Sequence, residues 1–378
     1  MEKEITLQRL LNGVSDSDRK IIRDIALKQL SKTSCRDDKA VEKITLQQLL
    51  NNASDSDRKI IWDIALKQLP EASRRDYEAV VRGEKLPSFM SDIVAKKLFD
   101  ADVHKDRLQY LFRGIYGNDK IVVDSSFRNE GYIQSLSSKK VIFDIAVRFH
   151  DGRIGVAEFQ VAALDCTSER TEIYGSNLLT IQYSVNSGEK KSEMQYNTVK
   201  GALLVYLMKN SPNNFEDFGA KNYIHLSREC SVSKNGIFLG LKDKPLVQKA
   251  YVQLDKCLEQ FLADEDSENN SQFQILLSLL ADSNNAKVLE AAEKYPMFKD
   301  MIDEARMFVQ SKEVQAMLLQ EQFEEADLNA YVNQAVNQAV NQAEKNILVN
   351  LVKEGELSIE VGAKRANMSI DEFKELLK

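Results

Sequence analysis

Cysteine is scarce in this chain and histidine scarcer. The four cysteines, Cys35, Cys166, Cys230 and Cys257, lie far apart and form no C-x-x-C pair. That argues against a disulfide frame or a zinc site and suits the reduced thiols of a cytosolic protein. His104, His150 and His225 are scattered without ligand spacing, so none is read as a metal ligand, although His150 falls beside the motif described below. Basic charge is not in excess either. The net charge is −7, from 51 Lys and Arg against 58 Asp and Glu. A surface coated in positive charge is thereby excluded, and any nucleic-acid contact has to come from a local patch. No apolar run approaches the length of a membrane span, and the opening MEKEITLQRLL is charged, with no apolar signal core. A soluble, cytoplasmic protein with no membrane partner is expected.

What is present is enough to fold. With 378 residues, 43% of them hydrophobic, the chain suits two or three domains with real cores. Residues 5–30 and 44–69 are a tandem repeat that differs at four positions, Arg9/Gln48, Gly13/Asn52, Val14/Ala53 and Arg23/Trp62. Each copy reads as two helices broken at Asn-Gly or Asn-Asn, the second capped from a Ser-Asp-Ser-Asp cluster. Ile22, Ile25, Ala26 and Leu30 give the first copy a helical apolar stripe. The repeat is either a helical cap on the next domain or a module for binding a partner or a second copy. Two units are fewer than a free-standing solenoid needs.

The centre of the chain, KKVIFDIAVRFHDGRIGVAEFQVA from Lys139 to Ala162, alternates with the period of two strands joined at Asp151-Gly152. Val141, Phe143, Ile145, Val147 and Phe149 make an apolar face, and so do Ala157, Phe159 and Val161. Asp144, Glu158 and Gln160 fall on the other side. Register decides whether the acids meet. A two-residue turn sets Asp144 opposite Phe159. A three-residue loop, His150-Asp151-Gly152 with Gly152 left-handed, sets Asp144 opposite Glu158, with Cβ atoms about 4.5–5.5 Å apart. Only the second keeps the apolar positions together, so it is the expected register. Two carboxylates held that close repel, and one keeps a proton unless a cation joins them. A hard cation such as Mg²⁺ takes oxygen ligands, activates bound water and offsets charge on a phosphate. Ordinary surface acids on a half-buried hairpin are the plainer alternative.

The order Asp144, hairpin, Glu158-Phe159-Gln160 resembles the D…(D/E)-x-K core of the PD-(D/E)XK nucleases. It is most similar to the branch of Rpn-like recombination-promoting nucleases and nuclease-family transposases, which often reads E-x-Q. Upstream, Asp92-Ile-Val-Ala-Lys96-Lys97-Leu-Phe99 resembles the branch's D-x-x-F-K-x-x-F opening helix, with Ala95 in place of Phe. Downstream, Arg170-x-x-x-Tyr174 and Tyr183 resemble its helix after the acidic strand. The likeness covers about residues 87–241. It implies a restriction-endonuclease-like α/β fold, a mixed sheet flanked by helices, and a DNA endonuclease linked to recombination or transposon-like elements. Asp144 and Glu158 would bind Mg²⁺ or another divalent cation, and Gln160 would position water or phosphate. Lys96, Lys140 and Arg170 would contact the DNA backbone, and Asp92 would be a third acid near the metal. Gln160 departs from the lysine common elsewhere in the superfamily and can neither act as a general base nor supply positive charge. A catalytically weak or silent binding module is therefore the alternative.

Each of these residues also has a plainer reading. Asp92 and Lys96 sit one helical turn apart and suit a surface salt bridge. Lys139 and Lys140 suit an edge strand that discourages aggregation. Arg170 suits an exposed helix face, and Arg148, on the Asp144 side, suits an ion pair with either acid. Ser91 is placed to cap a helix from Asp92, and Lys105–Tyr116 reads as a helix with Leu108, Leu111, Phe112 and Ile115 inside. A helix over 169–184 is expected to bury Ile173, Leu178 and Ile181, and GALLVYLM reads as a central strand. Residues 222–226 and 236–241 are shorter strand candidates.

Beyond about Pro245 the chain reads as helical. YVNQAVNQAVNQAEKN repeats every four residues, so its apolar stripe drifts by about 40° per repeat. That suits a spacer or a weak self-association helix. Residues 346–378 read as three short helices of helix-turn-helix shape. Their five Lys and Arg against six Asp and Glu give no basic footprint. The expected organisation is repeat copies over 1–39 and 40–86, a nuclease-like domain over 87–262, a helical region over 263–344, and a small module over 345–378. The expected partners are DNA and, through the helical terminal regions, a second copy of the chain.

Overall fold

The structure, a computed structural model, describes residues 14–30, 46–127, 143–161, 167–185, 199–212, 223–227, 231–234, 237–240, 246–263 and 271–377. Its centre is a six-stranded mixed sheet in the order β1-β2-β3-β4-β8-β5. The strands are β1 (Val123–Ser126), β2 (Ile145–Phe149), β3 (Ile154–Gln160), β4 (Ala202–Met208), β5 (Ile224–Leu226) and β8 (Val247–Gln253). β6 (Ser231–Lys234) and β7 (Ile237–Gly240) form a separate antiparallel pair. The chain is thus a mixed α/β protein, in agreement with the fold class expected from its sequence.

β4 runs parallel to both β3 and β8, and all seven of its residues are buried. ALLVYLM forms such a strand because it is apolar on both sides of the pleat, as a strand covered on both faces requires. Even positions face one layer. Ile154, Val156, Ala202, Leu204 and Tyr206 pack with Tyr174, Leu178 and Ile181 of α7 (Thr167–Val185). Ala157, Leu203, Val205 and Leu207 face the other layer, which holds α5 (Asp92–Leu98) and α6 (Lys105–Tyr116). In α6, Leu108, Leu111, Phe112 and Ile115 are buried as their spacing predicts, and Gly117 closes the helix at φ +57°. Ile173 breaks the expectation for α7. It is 58% exposed, because only one side of that helix meets the sheet.

The N-terminal helices are α1 (Asp16–Leu30), α2 (Leu46–Asn51), α3 (Asp55–Gln68) and α4 (Glu71–Val81). The equivalent residues Ile22, Ile25, Ala26 and Ile61, Ile64, Ala65 are buried in both copies. The copies part at Arg23/Trp62. Trp62 lies against Tyr77 of α4, ring centroids 6.1 Å apart, and the Tyr77 hydroxyl donates to the Gln315 carbonyl.

Gln315 belongs to the longest helix, α12 (Lys312–Lys353), which follows α8 (Leu254–Ala263), α9 (Gln272–Ala281), α10 (Ala286–Ala292) and α11 (Pro296–Phe308). At about 1.5 Å per residue α12 is about 60 Å long, and the Val-Asn-Gln-Ala repeat lies within it. It crosses the 344/345 boundary without a break. The first of the three short C-terminal helices expected from sequence is therefore its last turns, since nothing between 312 and 353 interrupts the backbone bonding. α13 (Ile359–Arg365) and α14 (Ile370–Leu376) fold back on it through Val349, Ala363 and Phe373. Ser369 and Glu372 form the capping box read from the sequence. Among the described residues no helix is long and apolar enough to cross a membrane.

Candidate active site

The β2–β3 hairpin sets the site. Ile145 pairs with Ala157, Ala146 with Val156, Val147 with Gly155 and Arg148 with Ile154. The Phe149 amide donates to the Arg153 carbonyl, and the Gly152 amide donates back to the Phe149 carbonyl, both at 2.9 Å. The loop is therefore His150-Asp151-Gly152, with Gly152 at φ +86°, where a side chain would be strained. Extended one step beyond Ile145, this register puts Asp144 opposite Glu158, as the three-residue loop requires.

One detail differs. β2 begins at Ile145, and a bend at Asp144 interrupts the alternation. Phe143 consequently turns to the opposite layer from Ile145 and stacks edge-on against Tyr174, centroids 5.3 Å apart. His150 is exposed in the loop at the far end of the hairpin. The five residues of β2, about 3.3 Å each, separate it from Asp144.

At the bend the two acids bond across strands. The Asp144 amide donates to Glu158 Oε1 at 3.2 Å, and the Phe159 amide donates to Asp144 Oδ2 at 2.8 Å. Glu158 is 2% exposed. Burial, reinforced by the Asp144 charge, pushes the Glu158 carboxyl well above its ordinary range, with Arg170 pulling the other way. Burial also raises Asp144. The Phe159 bond opposes that rise, the Asp92 charge adds to it, and Lys96 and Arg170 offset it. Two neighbouring carboxyls with raised pKa values, Glu158 buried and Asp144 half-buried, need a proton or a cation beside them.

Arg170, in the first turn of α7, supplies one cation. Its Nη2 donates to Glu158 Oε2 at 3.2 Å, and its guanidinium lies over the Tyr174 ring, 5.1 Å from the centroid. Nε and Nη2 also donate to the Tyr174 hydroxyl at 3.1 and 2.9 Å. The Arg170-x-x-x-Tyr174 spacing is the sequence signal for this unit. α7 sits close to the sheet because it carries Gly175 there, where a Cβ would come within 2.8 Å of Val247. Arg148, the sequence candidate for pairing with an acid, lies instead over the Phe127 ring at 5.4 Å. Its register partner is Ile154, four residues along the strand from Glu158, which puts the guanidinium away from the acids.

Asp92 and Lys96 approach from the opposite layer. They pair with each other at 2.7 Å, both about half exposed, and their charges act on Asp144. α5 reaches the hairpin through Phe99, which packs on Phe159 with centroids 5.8 Å apart. Ser91 does not cap α5 with its side chain. Its hydroxyl donates to Glu321 of α12, and the Ile93 amide donates to the same carboxylate at 3.0 Å. The sequence carries no signal for Glu321, because the contact spans 228 residues.

Gln160, beyond Glu158 on the same face of β3, is 8% exposed, and neither atom of its amide has a hydrogen-bond partner among the described residues. An unsatisfied buried amide costs about 1–3 kcal/mol, so such a group calls for a water or a bound ligand. Lys139 and Lys140 lie outside the described residues. Among the described residues no group of three or more His, Cys, Asp and Glu is placed to hold a metal ion. The carboxylate pair still suits a hard cation that takes a few protein oxygens and keeps several waters, as Mg²⁺ does.

Fold and site together define a mixed α/β protein with a carboxylate pair, Glu158 buried and Asp144 half-buried, at the end of its central hairpin, flanked by cations from both layers. No family model, curated protein or solved structure matches the chain.

Proposed function

We propose that the chain is a divalent-metal-dependent DNA endonuclease with a PD-(D/E)XK-type core, acting in recombination or on transposon-like elements. The observation that carries this reading is the Asp144–Glu158 pair, half-buried and buried in turn, each accepting a backbone amide from the other's strand and both raised in pKa beside Arg170. When bound, Mg²⁺ supplies an acidified water and neutralises charge on the phosphate. Asp144 and Glu158 would hold the cation through their carboxylate oxygens. Arg170 lies 37% exposed beside Glu158, close enough to release that carboxylate and take a phosphate oxygen with a bidentate fork. Lys96 presents a second cation from α5, and Lys140 is assigned the same task from its position before the hairpin. Gln160 fills its empty amide by orienting water or donating to a phosphate oxygen. Asp92 keeps Lys96 in place and adds negative charge near the cation site.

A second reading, a catalytically silent module that binds nucleic acid or protein, is favoured by the ion pair that occupies Glu158 Oε2. Supercoiled plasmid nicking separates the two. The enzyme reading expects nicking that requires Mg²⁺ and disappears in both Asp144→Ala and Glu158→Ala. Binding without cleavage in the native chain selects the module, and nicking that survives both substitutions removes the site.

A further inference from the structure

We infer that Glu321, far along the chain in α12, is a positioning residue that locks α5 in place and so sets where Asp92 and Lys96 stand relative to the hairpin. This inference deepens the nuclease reading and rests on it for its consequence in activity, but its geometry is independent of that reading.

The first turn of any helix leaves backbone amides without partners, and a serine before it ordinarily satisfies one with its own side chain. α5 departs from that rule. Ser91 makes no side-chain cap, and its hydroxyl points to Glu321 Oε2 while the Ile93 amide donates to Oε1 at 3.0 Å. One carboxylate thus takes both donors at the helix start. The residue is half-buried, and burial pushes its carboxyl up to about 7. The Ser91 and Ile93 bonds oppose that shift, while Asp92 on α5 and Glu324 on α12 add to it.

A buried carboxylate in this position is costly unless its bonds are kept. The neighbouring contacts show what it holds. α5 has only seven residues, and its charged face pairs internally through Asp92 and Lys96. Its buried side chains, Val94, Ala95 and Leu98, fix it against the apolar layer. Those contacts are non-directional and permit the helix to slide. The two bonds to Glu321 fix its start along its axis, one residue either side of Asp92. At the other end Lys97 meets Glu304 of α11 at 3.2 Å. Both ends of the site helix are therefore tied by glutamates from the C-terminal helices.

The test uses the full-length chain with Glu321→Ala, Glu321→Gln and Ser91→Ala, each checked for folding by circular dichroism. Amide exchange over residues 91–98 is followed by mass spectrometry, and plasmid nicking is followed with Mg²⁺. Glu321→Ala should speed exchange at Ile93 by about tenfold or more and lower kcat by about tenfold with KM little changed. Glu321→Gln keeps an acceptor oxygen and should restore both to within about twofold, and Ser91→Ala should fall between. Unchanged exchange in Glu321→Ala overturns the lock. Faster exchange with unchanged kcat overturns the positioning role. Should Glu321→Ala fail to fold, Ser91→Ala decides by the same two criteria. Should the native chain nick nothing, the nuclease reading falls, and the lock stands or falls on exchange alone.

Discussion

Two helices bring charge to the same carboxylate pair, and they do so differently. α7 is long, packs through Leu178 and Ile181, and carries Arg170 directly onto Glu158. α5 is short, lies on the opposite layer, and offers Asp92 and Lys96 already paired with each other. The α7 side therefore acts by contact with a buried charge, where the local dielectric is low and a missing partner is costly. The α5 side acts through partly solvated charges that water screens. Stability should depend on α7 and respond little to α5, while activity should depend on both.

The largest expected effect lies on the shared centre. Asp144→Ala or Glu158→Ala should lower Mg²⁺-dependent nicking by about 100-fold or more, because each removes an anionic ligand for the charge-stabilising cation. Loss of activity in only one of the two would show that the pair is not a unit.

Next is the pH dependence of the pair without metal. Glu158 sits well above its ordinary 4.5. The folded state therefore holds its proton more tightly than the unfolded chain does. That contribution to stability is complete below the unfolded value and is lost as pH rises through the folded one. Metal-free Tm should fall as pH rises above the ordinary carboxylate range, and Glu158→Gln should flatten the fall. Added Mg²⁺ should restore the native chain and leave Glu158→Gln unmoved. Glu321, raised to about 7, adds a slope of the same sign, which Glu321→Gln should remove between about pH 5 and 8.

Arg170→Met tests the α7 side alone. It strips a charged hydrogen bond from a buried carboxylate and should cost about 1–3 kcal/mol in urea unfolding. Lys96→Ala should be the mildest in stability, about 0.5 kcal/mol or less, since it breaks an exposed pair one turn apart. It should nonetheless weaken DNA binding at low salt. An unfolding cost for Lys96→Ala equal to that of Arg170→Met would erase the contrast between the two sides.

Much of this arrangement is legible in the sequence because it is local. The hairpin register follows from Gly152 and the two-residue alternation, and the central strand follows from an unbroken apolar run. The features that escape are those decided by distant neighbours. Phe143 leaves its expected face because the strand has not yet begun at the Asp144 bend and the Tyr174 ring is available on the other side. The sequence offers Arg148 as the partner for an acid and Arg170 as a phosphate contact, yet it is Arg170 that pairs with Glu158. Their difference is set by register and by the close seat of α7 at Gly175. Ile173 is apolar and suitably spaced, yet it stays exposed on the side of α7 turned from the sheet. The second glutamate bond at the start of α5 has no local signature, because the serine that would ordinarily make it is present.

The span of that bond bears on how the molecule is made. Ser91 leaves the ribosome 230 residues before Glu321 does, and Leu86 and Tyr77 likewise wait for Asn284 and Gln315. The hairpin can close early from its own turn, while the helix beside it stays loosely held until Glu321 has been synthesised. A nascent chain would thus carry its acids before the helix beside them is tied in place.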